Sequence, residues 1–295
     1  MRPDALWRHR TPSGLSFGEE STRASPIERV RRFTRELRRH EHALGVFTLG
    51  RFRATYRAQA LGLLWPMANP TILMIVMSVF FGVAFPSELP AYPVFLMLGL
   101  VPWHFLSHAW TDGTTCFLQH AEVIKRTSVP AYVVASGTVF SHVFNLGFAA
   151  LSLLPLVAFY PEAFHVSFAL VVLPLVIVLL IALGLGLALI SGVLNVVFRD
   201  VGYIVNSALI VNSALVVLFW ATPIAYPIDR LPGPWRQAML LNPMASLIHC
   251  IRDVVLKGAF PPARVVGAAL VSCTLVLLPG VLIYRRFESE IADHV

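Results

Sequence analysis

Six long stretches of the chain contain no Asp, Glu, Lys or Arg. They cover residues 61–85, 91–111, 131–160, 166–197, 201–226 and 265–284. Because the hydrocarbon core of a bilayer is about 30 Å thick, a helix needs about 20 apolar residues to cross it. Only 13% of the residues are charged, whereas soluble domains carry roughly 25%. The sequence therefore predicts an all-α integral membrane protein with six transmembrane helices.

Lysine and arginine are unevenly distributed around these stretches. Eighteen of the 23 lie before the first stretch, between the second and third, between the fourth and fifth, or after the sixth. The other five lie between the fifth and sixth stretches. Cytoplasmic loops carry the excess of positive charge in membrane proteins, so both termini are predicted to be cytoplasmic. The net charge of +7 follows from this topology, and no nucleic-acid partner is expected.

The region before the first span has two parts. Residues 1–24 are rich in Pro, Ser, Thr, Gly and Arg, which predicts a disordered cytoplasmic tail. The segment "SPIE" then offers Ser25 as an N-cap, Pro26 as the first helical residue and Glu28 at the capping-box position. An apolar stripe surrounded by arginines follows, so residues 25–57 are predicted to form an amphipathic helix on the inner membrane surface and a basic lead-in. The alternative is a basic tail that only fixes topology.

Residues 227–263 form the longest segment on the outer side. Asn242 and Pro243 are typical of the start of a helix, and Gly258 suits its end. Two short amphipathic helices are predicted here, too short and too charged to span a membrane. We expect a re-entrant pair in the outer leaflet between spans five and six; the alternative is a solvated loop. The six-span domain would then cover residues 58–287, with residues 288–295 as a cytoplasmic tail.

Several kinds of chemistry have no pattern in this sequence. A G-x-x-x-x-G-K-[ST] loop for ATP is absent. None of the six stretches contains a carboxylate or a lysine, which counts against an ion-coupled transporter. His104 and His108 lie four residues apart and could face a metal ion together, but no third ligand is evident. We therefore predict no catalytic residue, no metal and no cofactor in this chain.

Aromatic residues are the other prominent content of the spans. Trp103 and Trp110 lie seven apart in span two, Phe144 and Phe148 lie four apart in span three, and Trp220 lies in span five. Such spacings place each pair on nearly one helical face. A path with aromatic rings and without fixed charges would suit sugars, which stack their apolar faces on such rings. These five residues are predicted to line a substrate path; the alternative is helix packing and lipid anchoring.

Several segments share the pattern of one transporter family. They are "RFRATYRAQALGLLWPMANP", "VIKRTSVPAYV", "VFRDV", "TPIAYP" and "NPMASLIHCIRDVVLKG". In this order, from about residue 50 to 258, they resemble the ABC-2 type permeases that export polysaccharides such as O-antigen, capsule and teichoic acid. The O-antigen type is the first choice. Capsule, teichoic acid, a drug or a small lipid would suit the same fold, and a membrane enzyme or a channel without an ATPase is the more distant alternative.

The resemblance implies a transport subunit rather than an enzyme. Two copies of this chain would form the channel, and two copies of a separate ABC ATPase subunit would bind beneath it and hold ATP and Mg. The cargo would be a polysaccharide, often lipid-linked, which passes from the cytoplasm to the outer side of the cell inner membrane. Membrane lipids would be the remaining partners.

The resemblance also implies roles for charged residues at the inner surface. ATPase coupling would fall to two cytoplasmic contacts, made of Glu122, Lys125 and Arg126 and of Arg199 and Asp200. The alternative for these five residues is topology or lipid head-group contact. Arg51, Arg53 and Arg57 would meet the diphosphate of a lipid carrier, with ordinary lipid phosphate as the other partner.

Overall fold

The structure, a computed structural model, describes residues 26–57, 62–84, 91–127, 129–197 and 207–294. Its regular structure in these ranges is helical. The α-helices, in chain order, are α1 Pro26–Arg39, α2 Glu41–Tyr56, α3 Trp65–Ala84, α4 Tyr92–Gln119, α5 Ala121–Arg126, α6 Ala131–Leu151, α7 Leu153–Phe159, α8 Leu173–Val197, α9 Ser207–Ala221, α10 Gly233–Met239, α11 Pro243–Leu256 and α12 Ala263–His294. The all-α prediction is confirmed, whereas the predicted tail 1–24, Ser25 and the turn at Arg199 and Asp200 lie outside the described residues.

The described helices include several that could cross a membrane. Four helical segments are long and apolar enough: Gly62–Phe81, Ala131–Phe159, Phe168–Val197 and Ala263–Glu288. The α10–α11 pair, bent by 99° at its break, would make a fifth if it is one span. The sequence predicted six. The other two expected spans, α4 and α9, do not meet this criterion of length and hydropathy. Helix α4 carries several polar residues, and α9 is described over 15 residues. The count of six spans therefore stays a prediction.

The centre of the bundle is a close approach of α8 to α4 and α12. Gly186 on α8 faces α12 so closely that an added Cβ would lie 2.7 Å from Leu277 Cα. On the other side of the same contact, a Cβ on Gly280 would lie 2.7 Å from the Gly186 carbonyl oxygen. Small residues let helix backbones meet in this way inside membranes. Buried side chains of α4, α6, α8 and α12 belong to one hydrophobic core.

The N-terminal region forms two helices, α1 and α2, which meet at His40. Phe33 of α1 is buried, with its ring centroid 5.6 Å from that of Tyr132 on α6. Glu36 of α1 forms an ion pair with Arg285 of α12. The apolar side of α1 therefore packs on the bundle, while the other side of this helix carries the predicted basic surface. Helix α2 lies along α6.

Residues 227–263 have the predicted helix start and end. Asn242 Oδ1 accepts hydrogen bonds from the backbone amides of Met244 and Ala245, and Gly258 has a φ of +60°. The helix α11 also buries Arg252, which the sequence placed among the outer charges. Arg252 donates to the carbonyl oxygens of Pro223, Ile224 and Phe95, and its guanidinium carbon lies 3.4 Å above the Phe95 ring centroid. It therefore ties the segment after α9 to the first turns of α4.

Candidate functional site

Asp112 is the residue around which a polar network between α2, α4 and α6 is built. The sequence suggested that the second span ends at Thr111, but α4 continues through Asp112 to Gln119. The Asp112 carboxylate accepts hydrogen bonds from Arg51 Nη2 of α2 at 2.7 Å and from His142 Nε2 of α6 at 3.1 Å. A carboxylate whose hydrogen bonds and charge are satisfied by neighbouring side chains can lie within a largely apolar helix. This one group therefore joins α2, α4 and α6.

The hydrogen bonds continue from His142 towards the end of α2. The Tyr56 hydroxyl donates to Asn145 Oδ1 at 2.7 Å, which leaves the Asn145 amide nitrogen to donate to His142 Nδ1 at 3.1 Å. Because the Asn145 amide donates to Nδ1, the ring hydrogen of His142 that points to Asp112 lies on Nε2. The network thus runs from Tyr56 to Arg51 with each donor matched to an acceptor.

Arg51 has a second partner at the turn between α4 and α5. Its Nη1 lies 2.8 Å from His120 Nε2. Burial lowers the pKa of His120, the Arg51 charge lowers it further, and Asp112 opposes both. A neutral His120 accepts a hydrogen bond from the guanidinium. Arg51, predicted to contact a lipid diphosphate, is therefore held between Asp112 and His120.

A cavity of about 290 Å³ opens beside this network, and we call it the polar cleft. It lies between α2, α3, α4 and α6, and its lining contains Thr55, Tyr56, Trp65, Pro66, Asn69, His104, His108, Asp112, His142 and Asn145. Among the described residues, this lining includes no Lys or Arg. His104 and His108 face each other here with their Nε2 atoms 3.2 Å apart. Within the described ranges, no group of three or more His, Cys, Asp or Glu side chains is arranged to hold a metal ion.

A second cavity, of about 810 Å³, adjoins the polar cleft, and we call it the arginine pocket. Its lining is Phe52, Arg53, Tyr56, Arg57, Gly62, Leu63 and Leu64. Two of the three arginines predicted to meet a diphosphate are therefore here, together with apolar side chains. Tyr56 lines both cavities. An anionic group with an apolar tail suits this lining.

Phe144 and Phe148, predicted to line a substrate path, share one face of α6. Both lie against Phe52 of α2, with ring centroids 4.8 Å and 6.2 Å away respectively. Phe52, which the sequence analysis did not single out, thus connects them to the arginine pocket. The three rings form an aromatic cluster next to Arg53 and Tyr56.

The three predicted path tryptophans lie elsewhere. Trp103 is 8% exposed, and its ring centroid lies 5.6 Å from that of Phe219, which in turn contacts Trp220 at 5.3 Å. Trp220 is exposed. Trp110 is half-buried, and its indole nitrogen is buried without an acceptor among the residues that the structure describes. The five aromatics therefore form separate groups rather than one row, and the burial of Trp103 favours the packing alternative for that residue.

The predicted coupling residues on α5 are exposed. Glu122 and Arg126 form an ion pair of 2.6 Å with side chains 73% and 79% exposed, and Lys125 is exposed beside them. An exposed pair of this kind adds little to stability. The α5 surface is therefore free to change its partners without disturbing the bundle. The second predicted contact, Arg199 and Asp200, lies outside the described residues.

Comparison with known proteins decides the family. A family model described as "ABC-2 type transporter" matches residues 42–256, from α2 to the end of α11. The chain belongs to the ABC-2 type transporter family. The matched range contains the polar cleft, the arginine pocket and the α5 surface of this ABC-2 protein.

Proteins of similar sequence carry related names. The chain is 26% identical over 268 residues to the O-antigen export system permease protein RfbA of Myxococcus xanthus, covering 90% of this chain and 99% of that protein. It is 28% identical over 253 residues to a protein of the same description from Klebsiella pneumoniae, covering 85% and 93%. It is 22% identical over 244 residues to the polysialic acid transport protein KpsM of Escherichia coli, covering 81% and 91%.

Proposed function

We propose that the chain is the permease subunit of an ATP-binding-cassette exporter that moves a lipid-linked polysaccharide, such as O-antigen, out of the cytoplasm. Its relatives described as O-antigen export permeases match almost end to end, which supports this cargo over a drug or a small lipid. The match to a polysialic acid transport protein is weaker and keeps capsule polysaccharide as the second candidate.

The observation that carries the proposal is the arginine pocket at the junction of α2 and α3. A lipid-linked polysaccharide joins an apolar chain to a glycan through a phosphate or diphosphate. Arg53 and Arg57 are cations that would attract the phosphates, and Leu63, Leu64 and Phe52 offer the apolar surface for the first part of the lipid. Arg51 would act indirectly, because its guanidinium is engaged by Asp112 and His120.

The proposed topology has six spans, formed by α3, α4, α6 with α7, α8, α9 and α12. Both termini lie in the cytoplasm, and the protein resides in the cell inner membrane. The positive-charge distribution supports this orientation. The α10–α11 pair forms the re-entrant segment in the outer leaflet, supported by its 99° bend and by the buried side of α11.

The proposed assembly contains two copies of this chain and two copies of an ATPase subunit, which binds ATP and Mg. Glu122, Lys125 and Arg126 on the exposed α5 would contact the ATPase, together with Arg199 and Asp200. The polymer would then pass along aromatic side chains, of which Phe144 and Phe148 lie nearest to the arginine pocket.

Reconstitution tests this function. The full chain is co-expressed with the ATPase of its own organism, purified through a tag on the permease and placed in liposomes. We expect the ATPase to co-purify, and its hydrolysis of ATP to rise when lipid-linked polysaccharide is added and to stay low with the lipid carrier alone. An ATPase variant lacking the nucleotide-binding lysine is the control. Failure to recover any ATPase, or stimulation by drugs or small lipids in place of the glycan, would contradict the proposal.

A further inference from the structure

The polar cleft contains groups that the hydrogen-bond network leaves unused. Asp112 Oδ2 accepts from both Arg51 and His142, while Oδ1 makes no hydrogen bond among the described residues and is not buried. Asn69 is exposed, and its side-chain amide has no partner in the described part of the chain. Trp65, from the first turn of α3, is 42% exposed. An acceptor, an amide and an aromatic face thus remain available in one cavity.

The lining selects for an uncharged, hydroxyl-rich ligand. An anion would meet the Asp112 carboxylate, while the cation that pairs with it, Arg51, is engaged by Asp112 and His120 and does not line the cleft. A purely apolar ligand would bury the Asn69 amide and Asp112 Oδ1, which have no partner among the described residues, and this is costly. A sugar ring suits both sides of the cavity, because its hydroxyls bond to amide and carboxylate groups and its C–H face stacks on an indole. The volume of about 290 Å³ lies at the small end of ligand pockets, so one ring fits and a chain of rings does not.

The position of the cleft indicates which sugar of the polymer would bind in it. The cleft and the arginine pocket share Tyr56 as a common wall. If the phosphates of a ligand lie at Arg53 and Arg57, the chemical group attached to these phosphates lies at this wall. That group is the sugar directly attached to the carrier.

We propose that the polar cleft binds the carrier-linked sugar of the cargo, and that this sugar is a neutral pyranose. Trp65 stacks on its apolar face, and Asn69 and Asp112 Oδ1 bind its hydroxyls. The inference rests on the proposed function, since it takes the diphosphate to lie in the arginine pocket. The inference adds that the cleft selects for an uncharged sugar at the carrier-linked position. This selection does not depend on the number of acidic sugars in the rest of the polymer.

Short carriers of defined structure test the proposal. The full-length chain in lipid nanodiscs is titrated with farnesyl diphosphate alone and with farnesyl diphosphate carrying one glucose, one galactose or one glucuronic acid. At least one of the two neutral sugars is expected to tighten binding about five- to tenfold over the bare carrier, the effect of one or two hydrogen bonds. Glucuronic acid, which differs from glucose by the carboxylate at C6, is expected to give no gain.

Matched variants locate the effect. Trp65→Ala and Asn69→Ala should each remove most of the gain from the sugar while leaving the affinity for bare farnesyl diphosphate unchanged. Trp235→Ala and Gln237→Ala, both exposed on α10, are the controls that remove an indole and a side-chain amide outside the cleft, and they should keep the gain. Neither the Trp65 nor the Asn69 side chain donates or accepts a hydrogen bond within the described structure, so their loss should not unfold the protein.

The two proposals fail separately in this experiment. If bare farnesyl diphosphate binds and no sugar adds affinity, the cleft is not a sugar site and the diphosphate contact stands. If glucuronic acid adds as much as glucose, the selection for a neutral ring is wrong. If Arg53→Ala with Arg57→Ala leaves the binding of bare carrier unchanged, the diphosphate contact in the arginine pocket is wrong, and with it the placement of the sugar in the cleft.

Discussion

Arg51 Nη2 and Asp112 Oδ2 lie 2.7 Å apart, although 61 residues separate them in the chain. Arg51 stands near the end of α2, and Asp112 lies inside α4. Their side chains are 14% and 38% exposed, so water screens the carboxylate in part and the guanidinium hardly at all. The pair joins α2 to α4, and its carboxylate lines the polar cleft.

Breaking the Arg51–Asp112 pair should loosen α2. We expect Arg51→Gln and Asp112→Asn each to lower the free energy of unfolding by about 1–3 kcal/mol, the range of a hydrogen bond between charged groups. Because each single change removes the same contact, the double variant should cost less than the sum. Denaturant unfolding in detergent measures this, with Arg230→Gln, at an exposed position without an ion pair in the described structure, as control. Additive effects would mean that the two residues act independently.

Arg252 should tolerate no replacement, including lysine. Its guanidinium donates to three carbonyl oxygens and stacks on Phe95, and an ammonium group has neither the fork nor the plane to do both. We expect Arg252→Lys to lower the free energy of unfolding by about 2–4 kcal/mol, since carbonyls of the irregular segment after α9 lose their donors. Arg236→Lys, in a half-exposed ion pair with Asp229, should cost about 1 kcal/mol or less. Equal losses in the two variants would contradict the assigned role.

The contact of α8 with α12 should be sensitive to single methyl groups. Gly186→Ala or Gly280→Ala would place a Cβ against backbone atoms of the facing helix, and such overpacking typically costs about 1–3 kcal/mol. Gly267→Ala on the same α12 is the matched control, because nothing lies within 4 Å of its added Cβ. Thermal unfolding should therefore separate Gly280 from Gly267. Equal melting temperatures for these two variants would show that the helices can move apart freely.

The α5 surface should affect coupling without affecting folding. Since the Glu122–Arg126 pair is exposed, replacing Lys125 and Arg126 by alanine should change stability by less than about 1 kcal/mol. At an interface, removing a charged side chain costs more binding free energy, because the partner's group is left without its contact. We therefore expect stimulation of the ATPase to fall at least about fivefold. Arg264→Ala, on the proposed outer side, is the control. Full stimulation in the double variant would exclude α5 from the ATPase contact.

The parts of the fold that follow from local chemistry could be predicted from sequence. The α11 start at Asn242 and Pro243 and its end before Gly258 depend on backbone groups within a few residues. The long uncharged stretches likewise predict helices, because a bilayer leaves no other partner for the backbone amides.

The polar network around Asp112 could not be predicted in the same way. Asp112 ended the expected second span because a carboxylate without partners does not belong in a membrane helix. Its partners, Arg51 and His142, lie 61 and 30 residues away, so only the packing of α2 and α6 shows that the charge is satisfied. One signal was present: His104, His108 and Asp112 follow a four-residue spacing that places them on one face of a helix. Arg252 was missed for the same reason, since the carbonyls that hold it lie on another part of the chain.

The predicted aromatic path separates into packing and lining residues, and alanine variants should distinguish them. Trp103 is buried against Phe219, so Trp103→Ala should lower the free energy of unfolding by about 3–5 kcal/mol, as large-to-small changes in a core do. Phe144 is 39% exposed, and Phe144→Ala should cost about 1 kcal/mol or less. If Phe144 contacts the moving glycan, this stable variant should nevertheless export polymer several-fold more slowly.

The measurements are protein yield and thermal unfolding for folding, and surface polysaccharide per copy of permease for transport. Phe168→Ala is the control for Phe144→Ala. Phe168 is also exposed, but it lies just before the start of α8 and its ring contacts that of Phe260. Slow export in the Phe144 variant together with normal export in the Phe168 variant would support the path beside α6. Normal export in both variants at wild-type stability would remove Phe144 from the path, and would leave the aromatic cluster with Phe52 a packing feature that anchors α2.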